Sequence, residues 1–278
     1  MDRRDFIKTA ALASVSAAGL PHLHAASHSR PHVGIQIYGH NMLDEGIEKC
    51  LDGLQEMGAI DTLYLTTHTY YCAVNRPPQV LADHGVPVRD ERKRSMPKIW
   101  LKAEERFYKD TILRHQANPQ DFEYGDRDLF NEIQKPLRAR NMKVFARWYE
   151  PTDINRVLVD GKPSIDHWEN VLVVDMNGAI GKSPCWNNPD YREWLRASVF
   201  DMFSNYDLDG IQFGAERVGP LSEQLFRHGF TPTCFCPHCI SKNKENGLNA
   251  ERARTGYREL YNLMESVRQG QKPIDGVV

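Results

Sequence analysis

Asp209-Gly-Ile-Gln-Phe-Gly-Ala-Glu216 is a short, mostly apolar run that begins and ends at an acidic residue. Such a run is typical of a buried β-strand whose last residue enters a polar loop. Three earlier runs of the same kind predict strands at residues 33–38, 62–67 and 142–149. Segments with helical spacing of apolar residues alternate with them, at 43–57, 128–141, 190–206 and 237–269. This alternation predicts a parallel sheet covered by helices.

The number of strand–helix units favours one α/β architecture. The sequence shows about four units, whereas a TIM-type (β/α)8 barrel has eight, typically in about 250 residues. Two long inserts take up much of the length, at 69–126 and 150–189, and residues 98–115 have the spacing of a further helix. We therefore expect the N-terminal part of a TIM-type barrel with a parallel sheet. The segment 273–278 has the pattern of a fifth strand's beginning, so the chain is expected to be truncated.

An open, doubly wound sheet is the alternative to a barrel. When that fold binds dinucleotides, a Gly-rich loop follows its first strand. Here the first strand is followed by Tyr38-Gly-His-Asn-Met42, which lacks the G-x-G-x-x-G fingerprint. The barrel is therefore the favoured prediction.

The first residues resemble a targeting signal. Arg3-Arg-Asp-Phe-Ile-Lys8 is similar to the twin-arginine export signal, although Asp2 stands where Ser or Thr is common. An alanine-rich apolar stretch follows at 9–20, and small residues near Ala25 offer a cleavage site. We expect residues 1–30 to be a twin-arginine (Tat) signal peptide and 31–278 the barrel domain. The resemblance implies the Tat translocon as a partner and a periplasmic or secreted location.

Composition gives no support for two classes of partner. The 278 residues carry a formal net charge of −2 and are 41% hydrophobic, as in an ordinary soluble globular protein. This balance gives no reason to expect nucleic acid or an anionic membrane as a ligand. No apolar run reaches the roughly 18 residues of a membrane span, so we expect no stable membrane insertion.

Four cysteines are spaced for metal binding. Cys234, Cys236 and Cys239 form a Cys-x-Cys-x-x-Cys motif, and Cys185 stands upstream of them, between Pro184 and Trp186. Four thiolates can complete a tetrahedral zinc shell without a solvent ligand. We therefore expect a structural zinc site that links the loops after the third and fourth strands.

Other arrangements of these cysteines stay open at this point. Cys185 could form a disulfide with one of the other three, His238 could replace it as a ligand, or the thiols could serve a redox role. Cys50 lies in a predicted amphipathic helix and is expected to be a small buried hydrophobic residue. Cys72 follows a strand, where it is either a core residue or a free thiol.

The ends of the predicted strands supply the candidate catalytic and binding residues. In a β/α barrel the active site lies at the C-terminal ends of the strands. Glu216 ends the fourth run, and its carboxyl group, partly withdrawn from water, is the candidate general acid/base. Asp209 begins that strand and is expected to be a turn or capping residue. The candidate substrate-binding residues, with the aromatic ones expected to stack on a sugar ring, are Tyr38, His40, His68, Arg147, Trp148, Glu150, Trp186 and Gln212.

The order of Cys185, the fourth strand, Glu216 and Cys234-x-Cys-x-x-Cys239 resembles family 42 of the glycoside hydrolases. That family comprises bacterial β-galactosidases of the retaining (β/α)8 clan with a four-cysteine zinc cluster. The resemblance implies a carbohydrate substrate, the four cysteines as zinc ligands and Glu216 as acid/base. This sequence has Ala215 where the family has Asn, and the family's nucleophilic glutamate lies on a seventh strand, outside the four units.

The function expected from these patterns is that of an exported, glycosidase-like barrel protein that hydrolyses or binds a carbohydrate. A sugar isomerase or epimerase of the xylose-isomerase-like class is one alternative, and it would need an oxygen-ligated metal. A non-catalytic carbohydrate-binding protein is another.

Overall fold

The computed structural model describes residues 32–69, 98–115, 124, 126–149, 158–159, 162–163, 165–214 and 233–271. The predictions for residues 1–30, Cys72, Glu150 and Glu216 lie outside the described residues.

Strands and helices alternate through most of the described chain. In chain order the strands are β1 Gly34–Ile37, β2 Thr62–Thr66, β3 His68–Thr69, β4 Lys98–Ile99, β5 Lys143–Tyr149, β6 Leu158–Val159, β7 Lys162–Pro163, β8 Leu172–Val174, β9 Ile180–Pro184 and β10 Gly210–Gly214. The α-helices are α1 Gly39–Glu45, α2 Ile47–Gly58, α3 Leu129–Ala139, α4 Pro189–Asn205, α5 Pro237–Glu245 and α6 Ala250–Arg268.

The main sheet has four strands in the order β1-β2-β5-β10, and every neighbouring pair is parallel. These are the four strands that the sequence predicts, and α2, α3 and α4 lie between them along the chain. Spatial order therefore follows chain order, as in successive units of a β/α barrel, whereas a doubly wound sheet reverses its order at a switch point. The predicted fold class, a parallel α/β sheet built as part of a barrel, is confirmed.

A side-chain contact across the sheet shows how strongly it is curved. The amide nitrogen of Gln36 on β1 donates to the amide oxygen of Gln212 on β10 at 3.4 Å, although β2 and β5 lie between these strands. In a flat sheet, three strand spacings of about 4.8 Å would separate β1 from β10 by about 14 Å. Side chains standing upright on a flat sheet would not meet over that distance. The sheet is therefore curled, with the two glutamines on its concave face.

The convex face of the sheet forms the core beneath the helices. Leu63, Leu65, Val144 and Ala146 alternate along β2 and β5 and are completely buried. The amphipathic helices pack on this face, and α3 contributes Leu129, Phe130, Ile133 and Leu137, which are buried as well. The alternate buried residues of the strands and the apolar stripes of the helices thus pack against each other in one interface, between the convex face and the helices.

The concave face carries larger, partly exposed side chains. The rings of Tyr64 and Phe145 lie side by side there, with their centroids 5.2 Å apart. Each ring extends over a glycine of the neighbouring strand, since a Cβ atom on Gly34 or on Gly210 would lie 2.5 Å from a ring carbon. Glycine at these two positions lets both rings lie along the floor of the curved sheet.

The predicted helix at 43–57 is two helices. α1 starts earlier, at Gly39, and Gly46 separates it from α2. Gly46 has φ of 90°, a backbone conformation that residues with a Cβ rarely adopt. Cys50 is 4% exposed in α2, which confirms its prediction as a buried residue.

The prediction of a helix at 98–115 is wrong. The segment opens with β4, which pairs antiparallel with β3, and its helical part is one 3-10 turn at Glu105–Phe107. Its backbone N–H groups bond to distant segments: Trp100 donates to the Thr67 carbonyl at 2.9 Å and Lys102 to the Tyr206 hydroxyl at 2.7 Å. Tertiary contacts therefore override an apolar spacing that suits a helix.

Two aspartate side chains accept hydrogen bonds from backbone N–H groups of other segments and so hold those segments together. Asp201 on α4 is completely buried and accepts from the Glu104 N–H at 3.2 Å, and burial raises the pKa of its carboxyl group. Asp209 accepts from the Val144 N–H at 2.8 Å and from the Arg138 guanidinium at 2.8 Å. Asp209 thus ties the beginning of β10 to β5, which agrees with the capping role that the sequence predicts.

None of the helices in the described ranges combines the length and apolar character needed to cross a bilayer.

Candidate metal centre

Four cysteine sulfurs meet at one point of the structure. The Sγ atom of Cys185 lies 3.5 Å from that of Cys236 and 3.4 Å from that of Cys239. With Cys234 included, all four sulfurs lie within 4.8 Å of one another. Cys185, Cys236 and Cys239 are buried and Cys234 is partly exposed. Residues about fifty positions apart in sequence thus form one compact group of thiols.

A β-hairpin delivers Cys185 to this group. β8 and β9 pair antiparallel, and the Asp175 carboxylate accepts from the N–H groups of Asn177 and Ala179, both at 2.8 Å, to shape the turn between them. Cys185 directly follows β9, and its N–H donates to the Val171 carbonyl at 2.7 Å. Backbone hydrogen bonds of the hairpin region therefore hold the backbone of Cys185 in place.

The other three cysteines lie at the beginning of a helix. Cys236 is the N-cap residue of α5, Pro237 occupies its first turn, and Cys239 lies in that turn. The Phe235 N–H donates to the Val174 carbonyl of β8 at 2.6 Å, which joins this segment to the hairpin. Proline in the first turn suits a helix start because its missing N–H has no partner to lose there.

Phe235 also connects the cysteine group to α6. Its ring lies edge-on to Tyr257, with centroids 6.3 Å apart, and the Arg254 guanidinium lies 5.1 Å from the ring centroid. The long C-terminal helix is therefore held against the main body partly through the cysteine group.

Hydrogen bonds and burial shift the pKa values of these thiols in opposite directions: the pKa of Cys234 is lowered, whereas the pKa values of Cys185 and Cys239 are raised. A bond from the Cys185 thiol lowers the pKa of Cys234 to about 5, and the backbone N–H groups of Cys236 and Val174 act in the same direction. The same bond, together with burial, raises the pKa of Cys185. The Asn187 side-chain amide donates to the Cys239 sulfur at 3.3 Å. Donors around a thiolate group are the usual outer shell of a cysteine metal site.

The residues present fit a tetrahedral ion. Zn–S bonds of about 2.3 Å at tetrahedral angles place sulfurs about 3.8 Å apart. The separations from Cys185, 3.4 and 3.5 Å, are close to that value. All described cysteines are free thiols, so Cys185 forms no disulfide with its neighbours. His238 is exposed and is not part of the group. Four sulfur ligands can therefore hold a metal ion, as the sequence predicts.

The cysteine group lies next to the end of the fourth strand of the sheet. Trp186, which follows Cys185, packs edge-on against Phe213 of β10 at a centroid distance of 5.4 Å. Phe213 alternates with Gln212 along β10 and so belongs to the convex, helix-facing side. The Trp186 ring thus lies on the outer side of the sheet, away from the two glutamines.

The predicted binding residues of the first strand lie where the sequence places them. Tyr38 and His40 follow the end of β1, and their rings stack with centroids 5.6 Å apart and an angle of 21° between planes. Both are partly exposed. Of His68, the structure describes the backbone in β3, which pairs with Ile99 of β4, but not the side chain.

On the third and fourth strands the structure separates the predicted residues. Arg147 and Gln212 are register partners on β5 and β10, so both stand on the concave face. Trp148 alternates with Arg147, is 1% exposed and packs against Trp194 in the core, so its ring offers no face to a ligand. Strand alternation places Arg147 and Trp148 on opposite sides of the sheet.

Two residues of this region escaped the sequence analysis. Gln36 joins Gln212 across the concave face, and its signal was the matching Ile-Gln alternation in β1 and β10. Asn187 binds the Cys239 sulfur, and its closeness to Cys185 in sequence was the available clue. Both contacts join residues of different elements, and their partners follow only from the folded chain.

Two solved structures are similar to part of this chain. No protein-family model matches the chain, and no curated protein matches it. A noncanonic maltogenic α-amylase from Thermotoga neapolitana is similar in structure at a TM-score of 0.39 and 17% identity, over 70% of this chain and 41% of that chain. α-L-Fucosidase isoenzyme 2 from Paenibacillus thiaminolyticus is similar at a TM-score of 0.41 and 16% identity, over 87% of this chain and 31% of that chain. The chain therefore spans less than half of either structure, and the fold assignment rests on the strand order and curvature.

Proposed function

We propose that the chain is an exported, glycosidase-like β/α-barrel protein that hydrolyses or binds a carbohydrate. The observation that carries this proposal is the meeting of Cys185 with Cys234, Cys236 and Cys239 beside the end of β10. The resemblance to family 42 glycoside hydrolases implies this cluster, in this order along the chain and next to the fourth strand. A strand order that follows chain order also supports the proposal.

The proposed ion is zinc, in a structural role. Four thiolates are the usual ligands of structural zinc, and soft sulfur disfavours magnesium and calcium. A site closed by four protein ligands has no position for water or substrate, so it would not take part in catalysis. Its proposed role is to hold the β8–β9 hairpin and α5 in fixed positions beside the strand ends.

Glu216 is the proposed general acid/base, and the concave face is the proposed floor of the sugar site. Arg147 and Gln212 stand on that face and Tyr38 and His40 follow β1, which supplies polar and aromatic groups suited to hydroxyls and sugar rings. A retaining glycosidase needs a second carboxylate about 5–5.5 Å from the acid. The family resemblance places that residue on a seventh strand, so hydrolysis is proposed for a complete barrel.

Replacing Glu216 by glutamine is expected to lower the rate of glycoside hydrolysis at least about a hundredfold, because the amide cannot protonate the leaving oxygen. The measurement is release of the aryl group from a panel of aryl glycosides by the complete reading frame. Glu169→Gln, an exposed carboxylate ahead of β8, is the matched control and should keep the wild-type rate. Equal rates for wild type and Glu216→Gln would remove Glu216 from the mechanism, and sugar binding without turnover would favour the non-catalytic alternative.

Export by the twin-arginine route predicts a change of compartment. Replacing Arg3 and Arg4 together by lysine is expected to move the protein from the periplasmic to the cytoplasmic fraction, since the pair is the feature that the route recognises. Immunoblots of fractionated cells measure this distribution. The substitution of Lys8 by arginine, outside the pair, serves as the control. Unchanged export of the double variant would contradict the proposed signal.

A further inference from the structure

The four-cysteine group has one accessible sulfur and three enclosed ones. Cys234 is partly exposed, whereas Cys185, Cys236 and Cys239 are only 2%, 5% and 8% exposed. Cys234 also lies in a stretch that is neither helix nor strand, just before α5. A reagent in solution therefore reaches the sulfur of Cys234 before it reaches the other three.

Cys185 contacts all three of the other cysteines. Its thiol is hydrogen-bonded to that of Cys234. Its Sγ atom lies 3.5 Å from the Sγ of Cys236 and 3.4 Å from the Sγ of Cys239. The backbone of Cys185 is held by the bond from its N–H to the Val171 carbonyl. Cys185 is therefore the thiol placed to react when one of its neighbours has been modified.

Metal binding and disulfide formation compete for the same sulfurs. A thiolate that binds an ion shares its lone pair with the metal, whereas a thiolate without an ion can attack a disulfide. A sulfur within a disulfide no longer carries the negative charge that it needs as a metal ligand. Four cysteines that fit one ion can therefore exist in two states that exclude each other, one metal-bound and one oxidised.

We propose that the cysteine group is a metal–disulfide switch, in which Cys185 and Cys234 of the metal-free protein are oxidised to a disulfide by a small-molecule disulfide. The Cys234 sulfur attacks one sulfur of the reagent, whose S–S bond breaks and releases one thiol. The Cys185 sulfur then attacks Cys234 in this mixed disulfide and releases the second thiol. The chain gives up two thiol protons and two electrons, and the reagent takes them up as two thiols. This inference rests on the proposed metal site and does not depend on carbohydrate binding.

Accessibility and the backbone select this pair. Cys236 and Cys239 are both buried at the beginning of α5, so a reagent reaches neither of them first. Cys234 and Cys236 are separated by a single residue, and a disulfide between them would close a small, strained ring. Cys185 belongs to a different part of the chain and already contacts Cys234, so it is the favoured partner.

The disulfide would join the same two segments that the ion joins. Cys185 directly follows β9, and Phe235, next to Cys234, donates its N–H to the Val174 carbonyl of β8. A bond between Cys185 and Cys234 thus links the hairpin to the stretch before α5, and a cross-link over a long loop stabilises a fold. Oxidation is therefore expected to expel the ion and yet keep the hairpin and α5 together.

The proposed export gives this competition a consequence. Disulfides form and persist in the periplasm and outside the cell. A chain that arrives there without its ion exposes Cys234 to oxidants, and after oxidation it no longer takes up the ion. A chain that arrives with its ion keeps all four thiolates. The switch therefore favours metal loading before export.

Oxidised glutathione is the probe that tests the proposal, on the full chain stripped of metal and kept reduced until the reaction. Peptide mapping by mass spectrometry is expected to show a Cys185–Cys234 disulfide in the stripped protein and four reduced cysteines in the zinc-loaded protein. The oxidised protein should bind at least about tenfold less zinc than the reduced protein, because two of four ligands are lost. Reduction with dithiothreitol should restore binding. The melting temperature of the oxidised protein should lie above that of the stripped, reduced protein.

Two serine variants separate the proposed pair from its neighbours. Cys234→Ser removes the accessible sulfur and is expected to slow the reaction of the group with glutathione at least about tenfold. Cys236→Ser removes a buried thiol but keeps both members of the pair, so it is the matched control and should still form the Cys185–Cys234 disulfide. Should a variant misfold, the pair mapped in the wild type still decides the question.

The possible results distinguish the switch from the metal site itself. A stripped protein that stays reduced, or that pairs Cys236 with Cys239, overturns the switch alone. An oxidised protein that still takes up one zinc per chain does the same. A reduced protein that binds no zinc overturns the proposed metal site, and the switch with it.

Discussion

Replacing Cys185 by serine is expected to abolish metal binding and to lower the free energy of unfolding by about 4 kcal/mol. That value is what mass action gives a site filled at about a thousand times its dissociation constant. Serine is a poor ligand because its hydroxyl stays protonated where a thiol ionises. The loss is expected to spread beyond the site, since Cys185 is the one cysteine of the four that follows the β8–β9 hairpin. Metal content by elemental analysis and thermal unfolding by circular dichroism measure the two effects.

Chelation and a matched cysteine provide the controls for this prediction. A strong chelator should lower the free energy of unfolding of the wild type by a similar amount. The same treatment should leave the free energy of unfolding of Cys185→Ser unchanged. Cys50 is buried in α2, away from the cluster, so Cys50→Ser should cost some packing energy but keep one metal per chain. A full complement of metal in Cys185→Ser would show that Cys185 is not a ligand. Equal stability of the wild type with and without chelator would remove the structural role.

The sequence predicts the main sheet because each strand repeats one simple pattern. In β2 and β5, buried apolar residues alternate with residues of the other face, and the helices between strands carry apolar stripes. Both patterns depend on residues close in sequence. The cysteine group was predictable for a related reason, since three of its four cysteines lie within six residues, at a spacing typical of metal binding.

What the sequence does not predict depends on partners far along the chain. Residues 98–115 have helical spacing, but the Lys102 N–H bonds to Tyr206 and the Glu104 N–H to Asp201, which no local pattern reveals. The curvature of the sheet is a second case, because the contact between Gln36 and Gln212 joins residues 176 positions apart. The position of Trp148 could have been predicted from the sequence. Adjacent residues of a strand face opposite sides of the sheet, so an Arg147 on the concave face places the Trp148 ring in the core on the convex side.

Trp194 lies at the centre of an aromatic cluster that joins three parts of the structure. Trp194 of α4 packs edge-on against Trp148 of β5 at 5.6 Å and against Trp168 at 5.4 Å between centroids. Trp168 begins the 3-10 turn that leads into β8. The indole N–H of Trp194 donates to the Arg114 carbonyl at 3.1 Å. Trp194 therefore joins the sheet, the hairpin and the segment 98–115, and it is 1% exposed.

Replacing Trp194 by alanine is expected to lower the free energy of unfolding by about 4 kcal/mol, the usual cost of a large core cavity. The Arg114 carbonyl also loses its donor. For a chain of this size we expect the melting temperature to fall by roughly 10 °C. Trp186→Ala is the matched control, because that ring is 43% exposed and its removal should cost far less. Calorimetry or chemical denaturation measures both variants.

Metal content separates this effect from that of the cysteine substitution. The cysteine sulfurs are held by the hairpin backbone, by the beginning of α5 and by the Asn187 amide, and none of these contacts involves Trp194. Trp194→Ala should therefore be less stable but still bind one metal per chain, whereas Cys185→Ser should lose both stability and metal. Loss of metal from Trp194→Ala under native conditions would mean that the aromatic core, rather than the hairpin itself, holds Cys185 in place. If Trp194→Ala were as stable as Trp186→Ala, the neighbouring core side chains would have repacked to fill the cavity.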